Sequence, residues 1–286
     1  MTENNERKMN RYQEFRENLK NPIKRAVYGD RVTRVLVSIL RGFIFIGLSF
    51  IIVFPILREI VVAIKAPQDL NNPVINWIPE HYSLINIRIA VDVMSYWKAL
   101  GNTIKVSLFT AVLQVFSTSL AGYALSRLKF KGSDFLFYIF ILTMMIPPQV
   151  NIVPLFYIMS KIGWINTYQG MIVPAIFGGF GVFLMRQYFL TFSAELEDAS
   201  KLDGCNTFQT FFKVALPCAM PAIITLGIFT FVSTWNSFMW PLIVTNSDCI
   251  RTLPVALASF KGSFRETIEW GQLMACAVIT TIPAII

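Results

Sequence analysis

The charged residues of this chain fall into clusters. Between the clusters lie six stretches free of Asp, Glu, Lys and Arg: Gly42–Leu57, Val106–Ser126, Phe135–Ser160, Ile162–Met185, Val214–Ser247 and Trp270–Ile286, of 16, 21, 26, 24, 34 and 17 residues. About 20 apolar residues in a helix cross a hydrocarbon core of roughly 30 Å. The first stretch reaches that length if Arg41 and Arg58 extend their charged heads to the interface and the helix runs on through Ile60–Ile64. The pattern predicts an all-α polytopic membrane protein with six transmembrane helices, at about 36–64, 104–126, 135–158, 166–186, 214–245 and 268–286. A basic segment, residues 1–34, precedes this transmembrane domain of residues 35–286. Pro55, Pro147, Pro148, Pro154 and Pro174 lie in or near the runs. Proline at membrane depth is tolerated only where neighbours or water satisfy the freed carbonyls, so kinked helices with a polar path between them are expected.

Composition removes the soluble alternative. Hydrophobic residues make up 55% of the chain and charged residues 15%, against about 25% charged in soluble domains. The net charge of +8 does not point to nucleic acid, because ten of the 25 Lys and Arg lie in the first 41 residues, ahead of any apolar run. The basic residues are read as topology instead. With a cytoplasmic amino terminus, the inner segments 1–41, 127–134 and 186–213 hold 16 Lys and Arg and the outer ones nine, as the positive-inside rule requires. Both termini are placed inside. The head, Met1–Asp30, mixes acids with basic residues and reads as a solvated or surface-lying helix. It is too long for the n-region of a cleavable signal peptide.

The sequence offers little chemistry of its own. Cys205, Cys218, Cys249 and Cys276 form no C-x-x-C pair, and His81 is the one histidine; no metal or disulfide framework follows, and the cysteines read as small apolar fillers. His81, in the long outer loop, reads as a histidine without a role. No phosphate-cradling G-x-x-x-x-G-K-[ST], G-x-S-x-G or H-E-x-x-H occurs, so the chain is not read as an enzyme. None of the charge-free runs offers the intramembrane carboxylate on which ion-coupled carriers depend.

The segment 186–217 is longer than a connection needs. Ser193 can cap a first helix, with Glu195, Glu197 and Asp198 in its first turns, Lys201 in its last, and Gly204 as a left-handed stop. Asn206 and Gln209 have the spacing of a capping box that opens a second helix. The product is an amphipathic helix, a glycine corner and a re-entry helix. Such a helix either lies at the interface or plugs into another protein.

Asp198-Ala199-Ser200-Lys201-Leu202-Asp203-Gly204, followed after nine residues by Val214-Ala215-Leu216-Pro217, resembles the E-A-A-x-x-x-G signature of ABC importer permeases, with Asp198 for the usual Glu and Ser200 for the second Ala. Glu197–Gly204 is similar to the form of the maltose-type sugar branch. Pro147–Val150, Val153–Leu155, Gly163–Tyr168, Thr234–Leu242, Thr252–Pro254 and Glu269–Gly271 resemble that branch too. The likeness runs from about Leu36 to the end, where the chain stops at Ile286 inside the last apolar run and the family adds a short tail.

The resemblance implies the type I ABC importer permease fold and a subunit, in a bacterial cytoplasmic (inner) membrane, that moves a carbohydrate into the cell. It implies a second permease, forming a heterodimer, two ATPase subunits that hold the ATP and Mg, and an extracytoplasmic solute-binding protein; no cofactor is expected in this chain. Glu197, Asp198, Ala199, Ser200, Asp203, Gly204, Leu216 and Pro217 would serve ATPase coupling. Gln149, Asn151, Trp235, Asn236 and Trp240 are candidates for the sugar path, having the amide and aromatic groups that sugars engage. Arg251, Lys261 and Arg265 are candidates for binding-protein docking. The competing expectations are an importer permease for another small solute and an ATP-independent carrier.

Overall fold

The structure, a computed structural model, describes residues 22–70, 77–128, 130–263 and 270–285. The chain divides into two compact units, residues 1–58 and 59–286. The first contains most of α1 (Pro22–Ala63), a helix that opens on a proline and carries Pro55 inside it. Thr33–Ala63 of this helix is long and apolar enough to cross a membrane. Residues 1–21 of the head lie outside the described residues.

The second unit is helical, and no strand forms among its described residues beyond an isolated bridge between Lys65 and Tyr82. Its helices are α2 (Ile85–Val93), α3 (Tyr96–Arg127), α4 (Ser133–Met145), α5 (Ile152–Lys161), α6 (Gly179–Leu190), α7 (Ala194–Leu202), α8 (Met220–Trp235), α9 (Leu253–Ser263) and α10 (Trp270–Ile285). Of these, α3 alone is long and apolar enough to span by itself. Three bent pairs meet the same test jointly: Ser133–Met145 with Pro148–Lys161 at 95°, Tyr168–Ala175 with α6 at 40°, and Thr207–Cys218 with α8 at 77°. The prolines explain two of the bends. Ile146 and Pro147, each preceding a proline, have the extended ψ of 119° and 130° that this position imposes. Pro217 and Pro221 flank Ala219, where the last bend falls. The run expected to span as 135–158 is therefore broken at its middle. The helix expected over 104–126 begins earlier, at Tyr96.

The centre of the unit is the α3–α6 seam. Gly122 lies against the backbone of Met185 and Arg186, where an added Cβ would sit 2.6 Å from the Met185 Cβ and 2.8 Å from the Arg186 nitrogen. Gly181 lies against the Thr118 side chain, 2.9 Å from where its Cβ would sit. Small residues bring two backbones together where water exclusion gives no drive between helices. Tyr123, Met185, Phe189, Phe211 and Leu226 pack into one cluster at this end, tying in the re-entry segment and α8. A second cluster, with Met94, Tyr96, Trp235, Leu253 and Cys276, joins α2, α3, α8, α9 and α10. Cys276 is a buried filler as expected, but Cys218 and Cys249 are exposed on the chain.

His81 does not stand idle. Its backbone N–H donates to Asp69 Oδ2 at 2.7 Å and its ring Nδ1 lies 3.2 Å from Asp69 Oδ1, while the Ala66 N–H donates to the His81 carbonyl at 3.0 Å. Glu80 adds a third potential metal-ligand atom, all three lying within 4.8 Å. The cluster is a staple across the outer loop. The donated His81 N–H holds the Asp69 carboxyl below its ordinary pKa, against burial acting the other way.

Gly122→Val should lower stability by about 2 kcal/mol, the scale of overpacking, read as a lower melting temperature in detergent. Gly101→Ala, with open space around it, should not. Because the Asp69 pKa is depressed in the fold, its contribution is present above the ordinary carboxylate range and is lost as pH falls through the folded value. Asp69→Asn should therefore speed hydrogen exchange of Ala66 and His81 at pH 7, and the difference from the native protein should shrink on acidification below about pH 4.

Candidate functional site

The break at Pro147-Pro148 opens a short 3₁₀ turn, Pro148–Asn151, before α5. Across from it α8 ends at Trp235, and the chain restarts as a short helix, Met239–Val244. Between the two breaks is a cavity of about 390 Å³ lined by Gln149, Asn151, Leu155, Ser233, Ser237 and Trp240 among others. Helix interruption at membrane depth is tolerated where the freed backbone lines a cavity, and here a cavity adjoins both breaks. Trp240 is held by its ring N–H, which donates to the Gly170 carbonyl at 3.0 Å. Gly170 is required there, since a Cβ would fall 2.2 Å from the Trp164 carbonyl oxygen.

Of the five residues expected on the sugar path, Gln149, Asn151 and Trp240 come together in this cavity. Trp235 does not: at 5% exposure it packs against Phe231 and the α2–α3–α9–α10 cluster. Asn236 is exposed, and its side-chain amide donates back to the Val232 carbonyl at 2.9 Å. The sequence reading missed Ser233 and Ser237, because hydroxyls on an apolar helix carry no signal of the face they occupy. Only their spacing, with Trp240 at i+7 and i+3, places them together.

The rim at the amino-terminal end of α3 is fastened by polar side chains to backbone. Asn166, in the left-handed region at φ +59°, accepts at Oδ1 from the Asn246 N–H at 2.9 Å and from the Ser247 N–H and hydroxyl, each at 3.0 Å. Asn102 donates to the carbonyls of Cys249 and Arg251 at 2.9 and 3.0 Å, and accepts from the Tyr168 hydroxyl at 2.6 Å. Arg251, expected at the binding-protein face, pairs with Asp248. Lys261 falls on α9, and Arg265 lies outside the described residues.

At the opposite end lies the α7 corner. Ser193 takes the N-cap position with extended backbone, φ −67° and ψ 138°, but its hydroxyl makes no cap bond. Glu195 and Glu197 fill the first turn and Lys201 the last, as the helix dipole favours. Gly204 has φ +80°, and the Asn206–Gln209 capping box forms with both bonds, 2.8 and 2.9 Å. A single π turn, Phe211–Ala215, then leads into Leu216 and Pro217. Glu197 turns inward to Arg127, 3.3 Å away. Ser200 is buried, its hydroxyl 2.9 Å from that of Thr210. Asp198 is exposed and paired with Lys201 at 3.3 Å. Ala199 and Asp203 are exposed. Leu216 and Pro217 line an apolar groove between α3 and α8 instead of facing the corner's outer surface. That outer surface presents Leu196, Leu202 at 89% exposure and Phe208 at 70%.

A bundle of broken apolar helices, with a cavity at the breaks that carries amide and hydroxyl groups and a structured amphipathic corner at one end, fits a transport permease. The chain belongs to the family of binding-protein-dependent transport system inner membrane components, whose model matches residues 114–286. The arabinooligosaccharides transport system permease protein AraQ of Halalkalibacterium halodurans is 36% identical over 86% of this chain and 88% of that protein. The trehalose/maltose transport system permease protein MalG of Thermococcus litoralis is 33% identical over 84% and 86%. The sn-glycerol-3-phosphate transport system permease protein UgpE of Brucella abortus is 28% identical over 87% and 92%. A chain from the crystal structure of a bacterial ABC transporter that imports the acidic polysaccharide alginate superposes with a TM-score of 0.79 at 22% identity, covering 90% of this chain and 94% of that one. The chain has the type I ABC importer permease fold and is the permease subunit of an ABC importer, not itself a catalytic enzyme.

Asn166→Gly keeps the left-handed backbone but removes the acceptor. The Asn246 and Ser247 amides should then exchange about tenfold faster, the scale of one lost hydrogen bond, as read by hydrogen–deuterium exchange of the purified protein.

Proposed function

We propose that this permease imports an uncharged carbohydrate, delivered by an extracytoplasmic solute-binding protein and driven by ATP hydrolysed, with Mg, on two partner ATPase subunits. The observation that carries the reading is the cavity lining: amides from Gln149 and Asn151, hydroxyls from Ser233 and Ser237, the Trp240 ring, and no charged side chain. Aromatic faces with neutral hydrogen-bonding groups suit a sugar. An anionic substrate would call for a cation among the lining groups. The arabino-oligosaccharide and trehalose/maltose permeases among the relatives support the same class.

A second permease completes the pathway as a heterodimer. The amino terminus is cytoplasmic, in accord with 16 inner against nine outer Lys and Arg. The α7 corner then faces the cytoplasm, where Leu196, Leu202 and Phe208 present apolar surface that a groove on the ATPase would cover. When ATP draws the ATPase subunits together, a docked α7 is carried with them and the bundle changes the side to which its cavity opens. The outer segment from Asn246, with Arg251, meets the binding protein.

In lipid, the complex of both permeases and the ATPase should hydrolyse ATP faster when given binding protein loaded with a neutral oligosaccharide, and should take that sugar up. Trp240→Ala and Asn151→Ala should each cut uptake about tenfold, the loss of one good contact. Gly204→Asp forces a side chain into a backbone conformation costing about 1–2 kcal/mol and should abolish the stimulation. Uptake of anionic saccharides in place of neutral ones would overturn the substrate class; stimulation untouched by Gly204→Asp would overturn the coupling role of the corner.

A further inference from the structure

The α7 helix is fixed to the membrane helices through one charged joint. Arg127, the last residue of α3, is only 14% exposed at its side chain and Glu197 only 17%. The Arg127 guanidinium donates Nε–H to the Phe189 carbonyl at 3.0 Å and Nη2–H to the Phe192 carbonyl at 2.5 Å, and meets Glu197 Oε1 at 3.3 Å. One side chain thus binds the end of α3, the open carbonyls at the end of α6 and the first turn of α7. Arg186 answers it from α6, donating to the Leu125 carbonyl at 3.2 Å and to Asp134 at 3.0 Å. The other charged contact of α7, between Asp198 and Lys201, is exposed and stays within the helix. Among the described residues, the remaining polar tie shown for α7 is the neutral Ser200–Thr210 hydroxyl pair, which leads to the re-entry turn.

We propose that Arg127 is a positioning residue of the transport cycle: it joins α7 to the α3–α6 pair, and Glu197 acts through Arg127 instead of at the ATPase surface. The proposal rests on the reading that α7 docks on the ATPase. Separating the two groups would leave a carboxylate and a guanidinium unpaired at sites that water reaches poorly, which is more costly than breaking an exposed pair. A displacement of α7 is therefore passed to the inner ends of α3 and α6. The seam at Gly122 and Gly181 lets those two helices respond together. Arginine suits the task because its planar fork donates to two carbonyls while its charge lies beside the Glu197 carboxylate, whereas a lysine would hold a single point charge with less defined direction.

The test uses the full complex in lipid with Leu202→Cys on the exposed tip of α7, so that cross-linking to the ATPase reports docking separately from coupling. Glu197→Gln leaves the Arg127 bonds to the α6 carbonyls in place and so keeps the fold. It should retain the cross-link while the stimulation of ATP hydrolysis by loaded binding protein falls about tenfold, within the usual range of coupling between sites. Arg127→Lys should behave likewise, and the double variant should be no worse than the worse single one, as for two members of one joint. Normal stimulation in Glu197→Gln, or single effects that multiply in the double variant, would overturn the proposal while leaving docking intact. Loss of the cross-link in Glu197→Gln would place Glu197 at the ATPase surface and overturn it as well. No cross-link in the Leu202→Cys protein itself would remove the docking reading, and this proposal with it.

Discussion

Wherever this chain departs from a straight helix it frees backbone carbonyls, and in a bilayer nothing but the protein can satisfy them. Much of the tertiary structure is the answer to that constraint. Arg127 takes the carbonyls that close α6, and Arg186 takes one near the end of α3. Ser117 donates to Ile176 at 2.6 Å at the break ahead of α6, and Trp240 to Gly170. Asn86 reaches Lys65 and Asn102 reaches Cys249 and Arg251, where helices hand over to the outer loops. Each bond pins one element to another. The polar side chains of the bundle are thus joints first, and the joints lie where the helices end.

The same constraint separates what is fixed from what can turn. The α3–α6 pair is held along its length by glycine contacts and at its inner end by two reciprocal arginines. By contrast, the chain bends at Pro147-Pro148 and at Ala219, and the π turn at Phe211–Ala215 is of the kind that often marks a functional distortion. The cavity lies beside the first bend and the corner beside the second. A structure built this way has a stiff middle and adjustable ends, which is what alternating access asks of it.

The sequence carried the local chemistry well and the side-chain directions poorly. The Asn206–Gln209 capping box and the left-handed Gly204 were readable because each follows from short-range bonding or from the sterics of a single residue. Trp235 and Trp240 were not distinguishable: both sit in the same apolar segment, and which one enters the core depends on the break after α8, three residues long and invisible to periodicity. Ser193 illustrates a smaller failure, since the right residue occupies the cap position yet its hydroxyl points elsewhere. The joint between Arg127 and Glu197 was out of reach altogether. Seventy residues separate the partners, and a basic residue at the inner end of a span reads as orientation alone until the fold brings an acid to it. His81 was undervalued for the same reason, its partner Asp69 lying across a loop.

The distribution of charge then limits how energy can enter. The cavity lining on this chain is neutral. On the proposed reading the push comes from the ATPase, through an element that is exposed and connected inward. The α7 corner is exposed at Leu202 and Phe208, and its rigidity comes from capping and from the Gly204 turn. Its inward connection runs through a largely buried ion pair at the end of α3. That position suits the purpose: deeper in the bilayer the pair would be expensive to form, and fully in water it would be too weak to transmit a displacement.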